Sequence, residues 1–302
     1  MDDFDRRWER IQQQLLSQAR GDEPPRVASQ RTLFGIPSGV ERQMERFAEQ
    51  IEQERKERVA ARRREKETLM NGNPTLNVAD VVELEQRIAA DGTPLYELMK
   101  RAGAALAARA GELTAAGRRI VVLAGPGNNG GDGWVAAELF VAAGRNVTLV
   151  SAKEPSALTA EPARTAALHA IEACGERLHV LAAPGAAEVA AALQGAGLAI
   201  DALLGTGFAH STLREPLAGW VRSLNAAHAK GLAVLACDVA SGVSAQTGEA
   251  ANPHVLADAT VTMMVLKPGL LTGAGEAACG SIQVAQIHDL APYGAFLQER
   301  AL

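Results

Sequence analysis

From residue 76 onwards, short apolar runs rich in β-branched residues alternate with longer segments whose apolar residues recur at helical spacing. The short runs are typical of buried strands, and the longer segments are typical of helices that pack along one face. We predict strands near 119–124, 146–151, 178–182, 197–202, 232–237, 259–265 and 281–286, and helices near 132–143, 157–174, 186–194 and 214–229. Two more helices, one starting after Asn77 and one from Thr93 to about Ala110, precede the first strand. This alternation predicts an α/β domain with a doubly wound, mainly parallel sheet that is covered by helices on both faces.

Residues 1–75 show a different pattern. From Ser38 to about Thr68 charges of both signs are dense, and apolar residues fall at heptad spacing only in the first part of the segment. That apolar stripe consists of Val40, Met44, Phe47 and Ile51. We predict a charged extension (1–75) that is helical or partly disordered, then a globular domain (76–290) and a C-terminal tail (291–302). A solvated extension is favoured over a dedicated interaction arm, because interleaved glutamates weaken the case for RNA binding by its arginines.

Charge and cysteine content narrow the possible functions. The 302-residue chain has a net charge of −5, yet residues 1–75 contain 15 of its 30 Lys and Arg residues. The rest of the chain is therefore acidic, which argues against a nucleic-acid surface on the globular domain. Cys174, Cys237 and Cys279 lack CxxC spacing, so we expect free thiols in a reducing compartment. The N-terminus shows no signal-peptide pattern and no apolar run reaches membrane-spanning length, which together predict a cytoplasmic protein.

The most informative segment is the polar run after the first predicted strand, which consists of Asn128, Asn129, Gly130, Gly131 and Asp132. A buried strand, a glycine-rich turn and a helix N-terminus in this order are typical of nucleotide sites in α/β proteins. We expect the glycines to adopt positive φ and to let a ligand approach the backbone, while the helix N-terminus favours an anion such as a pyrophosphate. No Lys-Ser/Thr pair follows the glycines, which excludes a P-loop. The alternative is an Asx-rich turn in which Asp132 caps the helix.

Two further aspartates each follow an apolar strand. Asp201 is followed by the loop Gly205, Thr206, Gly207, Phe208, Ala209, His210 and Ser211, and Asp238 is followed by Ser241. Because ligands of doubly wound sheets bind beyond the carboxyl ends of the strands, we expect these segments and the first loop to converge on one crevice. Carboxylate, amide, hydroxyl and carbonyl oxygens together suit a hard cation. The alternative for each aspartate is a helix cap or a hydrogen bond within its loop.

One lysine and one histidine add candidate chemistry. Lys267 ends another apolar strand, where it could bind phosphate or take part in proton transfer, or could be a solvated turn lysine. His210 could contact a ligand or could be solvated. Because Asp238 leaves a strongly apolar strand, a lysine, a cation or the hydroxyls of a ligand should balance its charge if it is buried.

Four segments together resemble the NAD(P)HX epimerase family, also called the YjeF N-terminal domain. They are Ala124–Gly133, Asp201–Gly207, Asp238–Gly242 with Thr247–Glu249, and Ala257–Thr262 with Leu266–Gly269. The resemblance covers roughly residues 76–290. The chain differs from the family at Ala240, where proline is common, and at Ser244, where aspartate is common, so we expect a less rigid turn there.

The resemblance implies a Rossmann-like three-layer αβα sandwich that interconverts the R and S epimers of hydrated NADH or NADPH (NADHX and NADPHX). It implies that Asn128–Asp132, Gly205–Ser211 and Asp238 hold the hydrated dinucleotide, and that Asn129, Asp201 and Ser241 hold a potassium ion. The S epimer would pass to a separate ATP- or ADP-dependent dehydratase, because the sequence after residue 290 is too short to encode one. We also expect a homodimer.

Epimerisation requires the carbon that bears the hydroxyl to lose its configuration, through departure of water or through ring opening, and to reform from the other face. Asp238, Asp132 and Lys267 are all candidates for the acid–base group, and their order stays open at this point. The competing interpretation is a non-catalytic nucleotide-binding or RNA-binding scaffold module of the same fold. The intact polar set Asn129, Asp201, Asp238 and Ser241 favours the enzyme, because a scaffold has less reason to keep it.

Overall fold

The computed structural model describes residues 38–302, which belong to two compact units divided between Thr68 and Leu69. The charged segment that starts at Ser38 is helical, as predicted, and forms helix α1 (Ser38–Gly72). Side chains on this helix bond at i,i+4 spacing, as in Gln50 to Glu54 and Gln53 to Glu57, which supports a solvated helix. The side chains of Val40, Met44 and Phe47 lie outside the described part of the chain, as do residues 1–37.

The second unit is built around a seven-stranded sheet in the order β3-β2-β1-β4-β5-β6-β7. The strands are β1 (Ile120–Ala124), β2 (Val147–Ser151), β3 (His179–Ala182), β4 (Leu198–Ala202), β5 (Ala233–Cys237), β6 (Ala259–Met263) and β7 (Ser281–Ala285). Every pairing between them is parallel, so the predicted doubly wound α/β sheet is confirmed. The strand order reverses between β1 and β4, which places the topological switch point beside these two strands.

Helices cover both faces of the sheet. They are α2 (Val78–Ala90), α3 (Leu95–Leu113), α4 (Asn128–Ala142), α5 (Ala163–Cys174), α6 (Ala186–Leu193), α7 (Leu217–His228), α8 (Gly273–Ala278) and α9 (Gly294–Arg300). Alternate residues of β1 belong to two separate cores: Ile120 and Val122 pack with α2 to α5, whereas Val121 packs with α6 and α7. A strand buried on both faces is apolar along its whole length, which explains why the strands are recognisable in the sequence. No helix within residues 38–302 combines the length and the apolarity needed to cross a bilayer.

The helix after β1 differs from its prediction in a way that affects the site. Helix α4 begins at Asn128, four residues earlier than expected, so Asp132 lies inside the helix and does not cap it. The glycines of this segment do not adopt positive φ. They allow close packing instead, because a Cβ on Gly130 would lie 2.0 Å from the carbonyl oxygen of Gly125 and one on Gly131 would lie 2.5 Å from Met99 Cε.

Helix α5 is shorter than predicted for a local reason. The segment before it contains a single 3-10 turn at Pro155–Ala157, and α5 itself starts after Pro162. A proline has no N–H to donate and disfavours helical backbone in the residue before it, so the predicted helix from 157 to 174 is interrupted. The apolar pattern of the sequence continues across the 3-10 turn and the start of α5, so the sequence predicted a single helix.

Both ends of the globular unit extend beyond the predicted boundaries. Residues 69–75 belong to it, and Thr75 forms a parallel bridge with Leu266. The segment 291–302, predicted as a tail, belongs to it as well. Its helix α9 buries Phe296, and Arg300 pairs with Asp80 on α2. The apolar face of this short last helix is what attaches it to the domain.

Candidate functional site

Polar loops meet at the carboxyl edge of the sheet, around the switch point between β1 and β4. The N-terminus of α4 follows β1, the Gly205–Ser211 loop follows β4, and Asp238 and Ser241 follow β5. Parallel strands end at the same edge, and this brings segments that are far apart in sequence into contact. The predicted convergence therefore has a direct structural cause in the sheet topology.

Asp201 and Ser241 form the buried centre of this edge. Asp201 Oδ2 accepts the backbone N–H of Ser241 at 2.7 Å, and Asp201 Oδ1 accepts the Ser241 hydroxyl at 2.6 Å. The hydroxyl of Ser241 also lies 2.9 Å from the backbone nitrogen of Leu204. Burial raises the pKa of Asp201 to about 6, and the hydrogen bonds from Ser241 and Leu203 oppose that rise. Within residues 38–302, no Lys or Arg side chain pairs with Asp201.

The first loop reaches this centre through Asn129. A Cβ on Gly205 would lie 3.1 Å from Asn129 Oδ1, so glycine at 205 lets the two loops close on each other. The Nδ2 atom of Asn129 is buried and has no hydrogen-bond partner in the described residues. Asn128, the neighbouring residue, is exposed. A buried N–H donor without a partner is costly for the fold, and the cost is accounted for if a ligand supplies an acceptor.

The turn after β5 departs from the family pattern and is nevertheless closed by hydrogen bonds. Ala240 stands where the family commonly has proline, and its carbonyl accepts the N–H of Val243 at 3.0 Å. The hydroxyl of Ser244 accepts the N–H of Thr247 at 3.2 Å, and its backbone N–H donates to Glu249 at 2.8 Å. Ser241 therefore stays in hydrogen-bond contact with Asp201 although both family residues are replaced.

Asp238 is held in a strained turn at the end of β5. Its φ is 64°, in the left-handed region that few non-glycine residues adopt, and the N–H of Val239 bonds back to the carbonyl of Cys237 at 2.7 Å. Asp238 Oδ1 accepts the ammonium of Lys267 at 2.6 Å and the hydroxyl of Thr262 at 3.0 Å. The expectation that a lysine, a cation or a ligand balances this charge is met by Lys267.

Lys267 is buried and its ammonium donors are occupied. Its side chain is 1% exposed, and Nζ donates to Asp238, to the Thr262 hydroxyl at 2.9 Å and to the Met263 carbonyl at 3.0 Å. The solvated turn lysine considered above is therefore wrong. A second strained residue, Met264 with a φ of 61°, lies between β6 and Lys267 and turns the chain so that the ammonium points back to the strand ends.

Asp132 lies on α4 beside the end of β5. The thiol of Cys237 approaches Asp132 Oδ2 at 3.7 Å. Burial raises the pKa of Asp132 well above its usual value, and the negative charges of Asp238 and Glu85 add to the rise. Asp132 thus belongs to a cluster of three carboxyl groups around one lysine, where like charges disfavour simultaneous ionisation.

Glu85 is the residue of this cluster that the sequence analysis missed. It lies on α2, and together with Asp132, Asn128 and Met263 it lines a cavity of about 100 Å³. Burial raises the pKa of Glu85 to about 7, the charge of Asp238 adds to the rise, and Lys267 opposes it. A signal was present in the sequence, since Glu85 stands four residues after Val81 and three before Ile88 and therefore borders the apolar stripe of its helix.

A second, larger cleft of about 500 Å³ lies on the same edge. The Gly205–Ser211 loop borders it through Phe208, His210 and Ser211. Phe208 is buried and its ring contacts the exposed ring of His210 edge-on, at 5.7 Å between centroids. Thr206 is partly buried, and Gly207 and Ala209 are exposed. The cleft is also lined by Lys153, Arg214 and Glu215. Because Glu215 pairs with Arg222, the two cationic side chains suit the cleft to an anionic ligand.

Comparison with known proteins decides the family. Residues 95–269 match the family described as YjeF-related protein N-terminus. The chain belongs to this family. In this member, the matched region contains the first loop, the Gly205–Ser211 loop and the Asp238–Lys267 pair, so the polar edge of the sheet lies within the family domain.

Curated relatives of this family member have related names. The chain is 37% identical to the bifunctional NAD(P)H-hydrate repair enzyme Nnr of Escherichia coli K12, over 69% of this chain and 38% of that protein. It is 38% identical to the bifunctional NAD(P)H-hydrate repair enzyme of Leishmania braziliensis, over 64% of this chain and 33% of that protein. The chain thus spans about a third of the length of these longer relatives. It is 36% identical to the NAD(P)H-hydrate epimerase of Limosilactobacillus fermentum, over 64% of this chain and 86% of that protein.

A solved structure supports the fold of this family member. The crystal structure of yeast ynu0 superposes with a TM-score of 0.55, covering 65% of this chain and 82% of that chain. The identity is 24%, so the likeness applies to the fold alone. It agrees with the parallel sheet and with the helices on both of its faces.

The Asp201 centre of this family member offers three polar side chains that could hold a cation. It combines the carboxylate of Asp201, the hydroxyl of Ser241 and the amide of Asn129, which a half-turn about its last bond would present as an oxygen. A buried carboxylate without a cationic partner gains from a positive charge placed beside it. Within residues 38–302 no cluster of three or more His, Cys, Asp or Glu residues is placed to hold a metal ion, so a cation here would depend on this mixed oxygen set.

Proposed function

We propose that this chain is an NAD(P)H-hydrate epimerase, an isomerase that interconverts the R and S epimers of hydrated NADH and NADPH. The observation that carries the proposal is the alignment with the Limosilactobacillus fermentum NAD(P)H-hydrate epimerase, which covers 86% of that protein. The longer bifunctional relatives share only their corresponding part with this chain. The activity named by the relative that the chain covers almost completely is therefore the one we assign.

The geometry of the carboxyl edge supports this reaction. If water departs from the hydroxyl-bearing carbon, positive charge develops on the ring. Glu85, Asp132 and Asp238 place three carboxyl groups around the small cavity and its border, and Lys267 is the one ammonium group beside them within the part of the chain that the structure describes. The carboxylates of this group that are ionised stabilise a cationic transition state more than a neutral ground state.

The two cavities suggest how the dinucleotide lies. We place its hydrated nicotinamide ring in the cavity of about 100 Å³ between Glu85 and Asp132. The pyrophosphate then lies at the N-terminus of α4, whose first backbone N–H groups have no partner within the helix. The adenosine end extends into the larger cleft along the Gly205–Ser211 loop, where Lys153 and Arg214 supply positive charge.

The three predicted acid–base candidates take different roles in this arrangement. The ammonium of Lys267 donates to three fixed acceptors, so we assign Lys267 to holding Asp238 in place and not to proton transfer. Asp132 lines the small cavity and remains a direct candidate. Asp238 contacts the cavity wall through the N–H of Met263, which it accepts at 3.3 Å, and acts mainly by its charge.

We propose that Asn129, Asp201 and Ser241 hold a potassium ion. When bound, the ion would supply a fixed positive charge beside the loops that hold the pyrophosphate. Its protein ligands would also tie the first loop to the turn after β5, because Asn129 and Ser241 come from these two segments.

The NAD(P)H-hydrate repair names of the bifunctional relatives suggest that a dehydratase consumes the product. We further propose a cytoplasmic homodimer, and the three buried free cysteines suit a reducing compartment.

The proposed activity is tested by coupling. Purified protein is mixed with the R epimer of hydrated NADH and a dehydratase specific for the S epimer, in potassium buffer, and recovery of NADH is followed by absorbance. We expect recovery well above the spontaneous epimerisation rate, in proportion to the protein added. A folded preparation that does not accelerate epimerisation of either hydrated NADH or hydrated NADPH would contradict the proposal.

Replacing Asp201 by asparagine tests the cation site. The amide can still accept the N–H of Ser241 but removes the negative charge, so the fold should persist while potassium affinity falls. At a potassium concentration about ten times its Kd, we expect the wild-type Tm to rise by about 3–5 °C over an equal concentration of a bulky organic cation. The variant should show little of this rise. Asp258→Asn, at the opposite edge of the sheet, serves as control, and an unchanged potassium response in Asp201→Asn contradicts the assignment.

A further inference from the structure

The small cavity is lined by two carboxyl groups that come from different helices. Asp132 reaches it from α4, and Glu85 reaches it from α2, which precedes the sheet in the sequence. The remaining lining is largely apolar, with Leu98, Met99 and Met263 among its walls. A volume of about 100 Å³ suits one six-membered ring, and carboxyl groups from two helices can approach such a ring from two directions.

We propose that Glu85 is a second catalytic acid–base residue, which transfers a proton to and from the substrate hydroxyl on one face of the ring while Asp132 serves the other face. This inference rests on the proposed epimerase function. Inversion of a single carbon requires proton transfer on both faces. Two carboxyl groups in one ring-sized cavity meet that requirement without movement of the ring.

The hydrogen bonds around the cavity single out Glu85. The carboxylate of Asp238 is already bonded to Lys267, Thr262 and the N–H of Met263. By contrast, the carboxyl group of Glu85 has no hydrogen bond or ion pair with any residue in the range 38–302. The side chain is half-buried, so its carboxyl group is free to bond a substrate that enters the cavity.

The step balances with water as the only other reactant. The Glu85 carboxyl donates its proton to the hydroxyl, the C–O bond breaks, and the oxygen leaves as water with the bonding pair. The lone pair of the adjacent ring nitrogen forms a C=N bond, so the ring carries one positive charge. A water molecule on the other face then bonds to the same carbon, the C=N pair returns to nitrogen, and Asp132 accepts the released proton. Solvent exchange returns both carboxyl groups to their starting states.

The charges that face Glu85 set the pH at which it can act. They are Asp132 on α4, Asp238 after β5 and Lys267 after β6. Burial and Asp238 raise the pKa of Glu85 to about 7, so the group is protonated below that pH and ionised above it. As the proton donor Glu85 must be protonated, so kcat should fall as pH rises through about 7. As the proton acceptor Asp132 must be ionised, and because its pKa is raised as well, kcat should also fall towards lower pH. Because the carboxyl groups interact, the observed value belongs to the cluster as a whole.

The test uses Glu85→Gln, Glu85→Asp and the control Glu83→Gln in the full chain. Glu83 lies on the same helix but pairs with Arg87 at the surface. We expect Glu85→Gln to lower kcat by about 100-fold or more with KM within a few-fold of wild type, and to abolish the fall in kcat near pH 7. Glu85→Asp should recover part of the rate, and Glu83→Gln should match wild type.

A Tm series separates folding from chemistry. The raised pKa means that the stability contribution of Glu85 is fully present below about pH 4.5 and is lost as pH rises through about 7. Glu85→Gln should therefore melt above wild type at pH 8.5 and close to it at pH 4.5. A variant that melts in this way and retains wild-type kcat overturns the catalytic assignment, while the wild-type assay continues to support the epimerase. If Glu85→Gln does not fold, Glu85→Ala takes its place, and wild-type kcat with a wild-type pH profile in that variant overturns the assignment.

Isotopic oxygen tests the chemical step. In ¹⁸O-labelled water, the hydroxyl of the product should acquire label at the rate of enzyme-catalysed epimerisation, because each inversion replaces the oxygen. Epimerisation by wild type without label uptake would contradict water departure and the role given to Glu85. An inactive wild-type enzyme would instead remove the proposed function itself.

Discussion

Asp238→Asn is expected to lower kcat by about 100-fold or more while substrate affinity stays within a few-fold of wild type. The amide keeps the shape of the side chain and can still accept a hydrogen bond from Thr262. What it removes is the negative charge that balances Lys267. In the variant, an unbalanced ammonium beside the small cavity opposes the positive charge that develops on the ring. It also lowers the pKa of Glu85 and of Asp132, whereas in the wild type the charge of Asp238 raises both.

Steady-state kinetics with both epimers, together with direct ligand titration, measures the two effects separately. Asp258→Asn is a matched control, because Asp258 lies before β6 at the other edge of the sheet and accepts the N–H of Val234. Weaker affinity with unchanged turnover at saturation would show that Asp238 only binds substrate. Turnover near the wild-type value would show that catalysis does not depend on Asp238 to balance the charge of Lys267.

Lys267→Met is expected to destabilise the domain by about 3–5 kcal/mol at neutral pH. The methionine fills much of the volume of a side chain that is 1% exposed, so the loss reflects charge more than packing. Without Lys267 the Asp238 carboxylate keeps the Thr262 hydroxyl and the Met263 N–H but has no opposite charge. Urea unfolding at pH 7 measures the difference in the free energy of unfolding.

The double variant Asp238→Asn with Lys267→Met provides the internal check. Removal of both charges leaves no unpaired ion, so the combined loss should fall short of the sum of the single losses by at least about 1 kcal/mol. Lys230→Met, at an exposed lysine beyond α7, should change stability little. A loss below about 1 kcal/mol for Lys267→Met would mean that the pair contributes little to the fold.

The strands were predictable because the sheet is parallel and buried on both faces. A strand such as β1 must be apolar throughout, and that leaves a strong local signal. Helix starts were less predictable. At the start of α4, Gly130 packs closely on Gly125 and Gly131 on Met99, and local sequence does not encode these contacts. That residues 291–302 belong to the domain was not predictable for a similar reason, since the burial of Phe296 depends on residues distant in the sequence.

The candidate site was partly predictable for a topological reason. Loops after parallel strands meet at one edge, so residues such as Asp201 and Asp238 could be grouped before any coordinates were known. Glu85 could not be grouped in this way, because α2 precedes the sheet and its sequence is that of an ordinary amphipathic helix. The burial of Lys267 was also hidden, because it depends on the turn at Met264 and on acceptors supplied by β6.

The packing of α4 also bears on the thermodynamics of ligand capture. The backbone at Gly130 and Gly131 is fixed by contacts with Gly125 and Met99, so the amides that precede them keep one arrangement before a ligand arrives. Binding to such a preorganised N-terminus costs the protein little conformational entropy, and the ordering penalty falls mainly on the flexible dinucleotide. If a pyrophosphate binds here as proposed, its affinity should depend on how well it fits this fixed backbone, and ligands with shorter or differently branched linkers should bind more weakly.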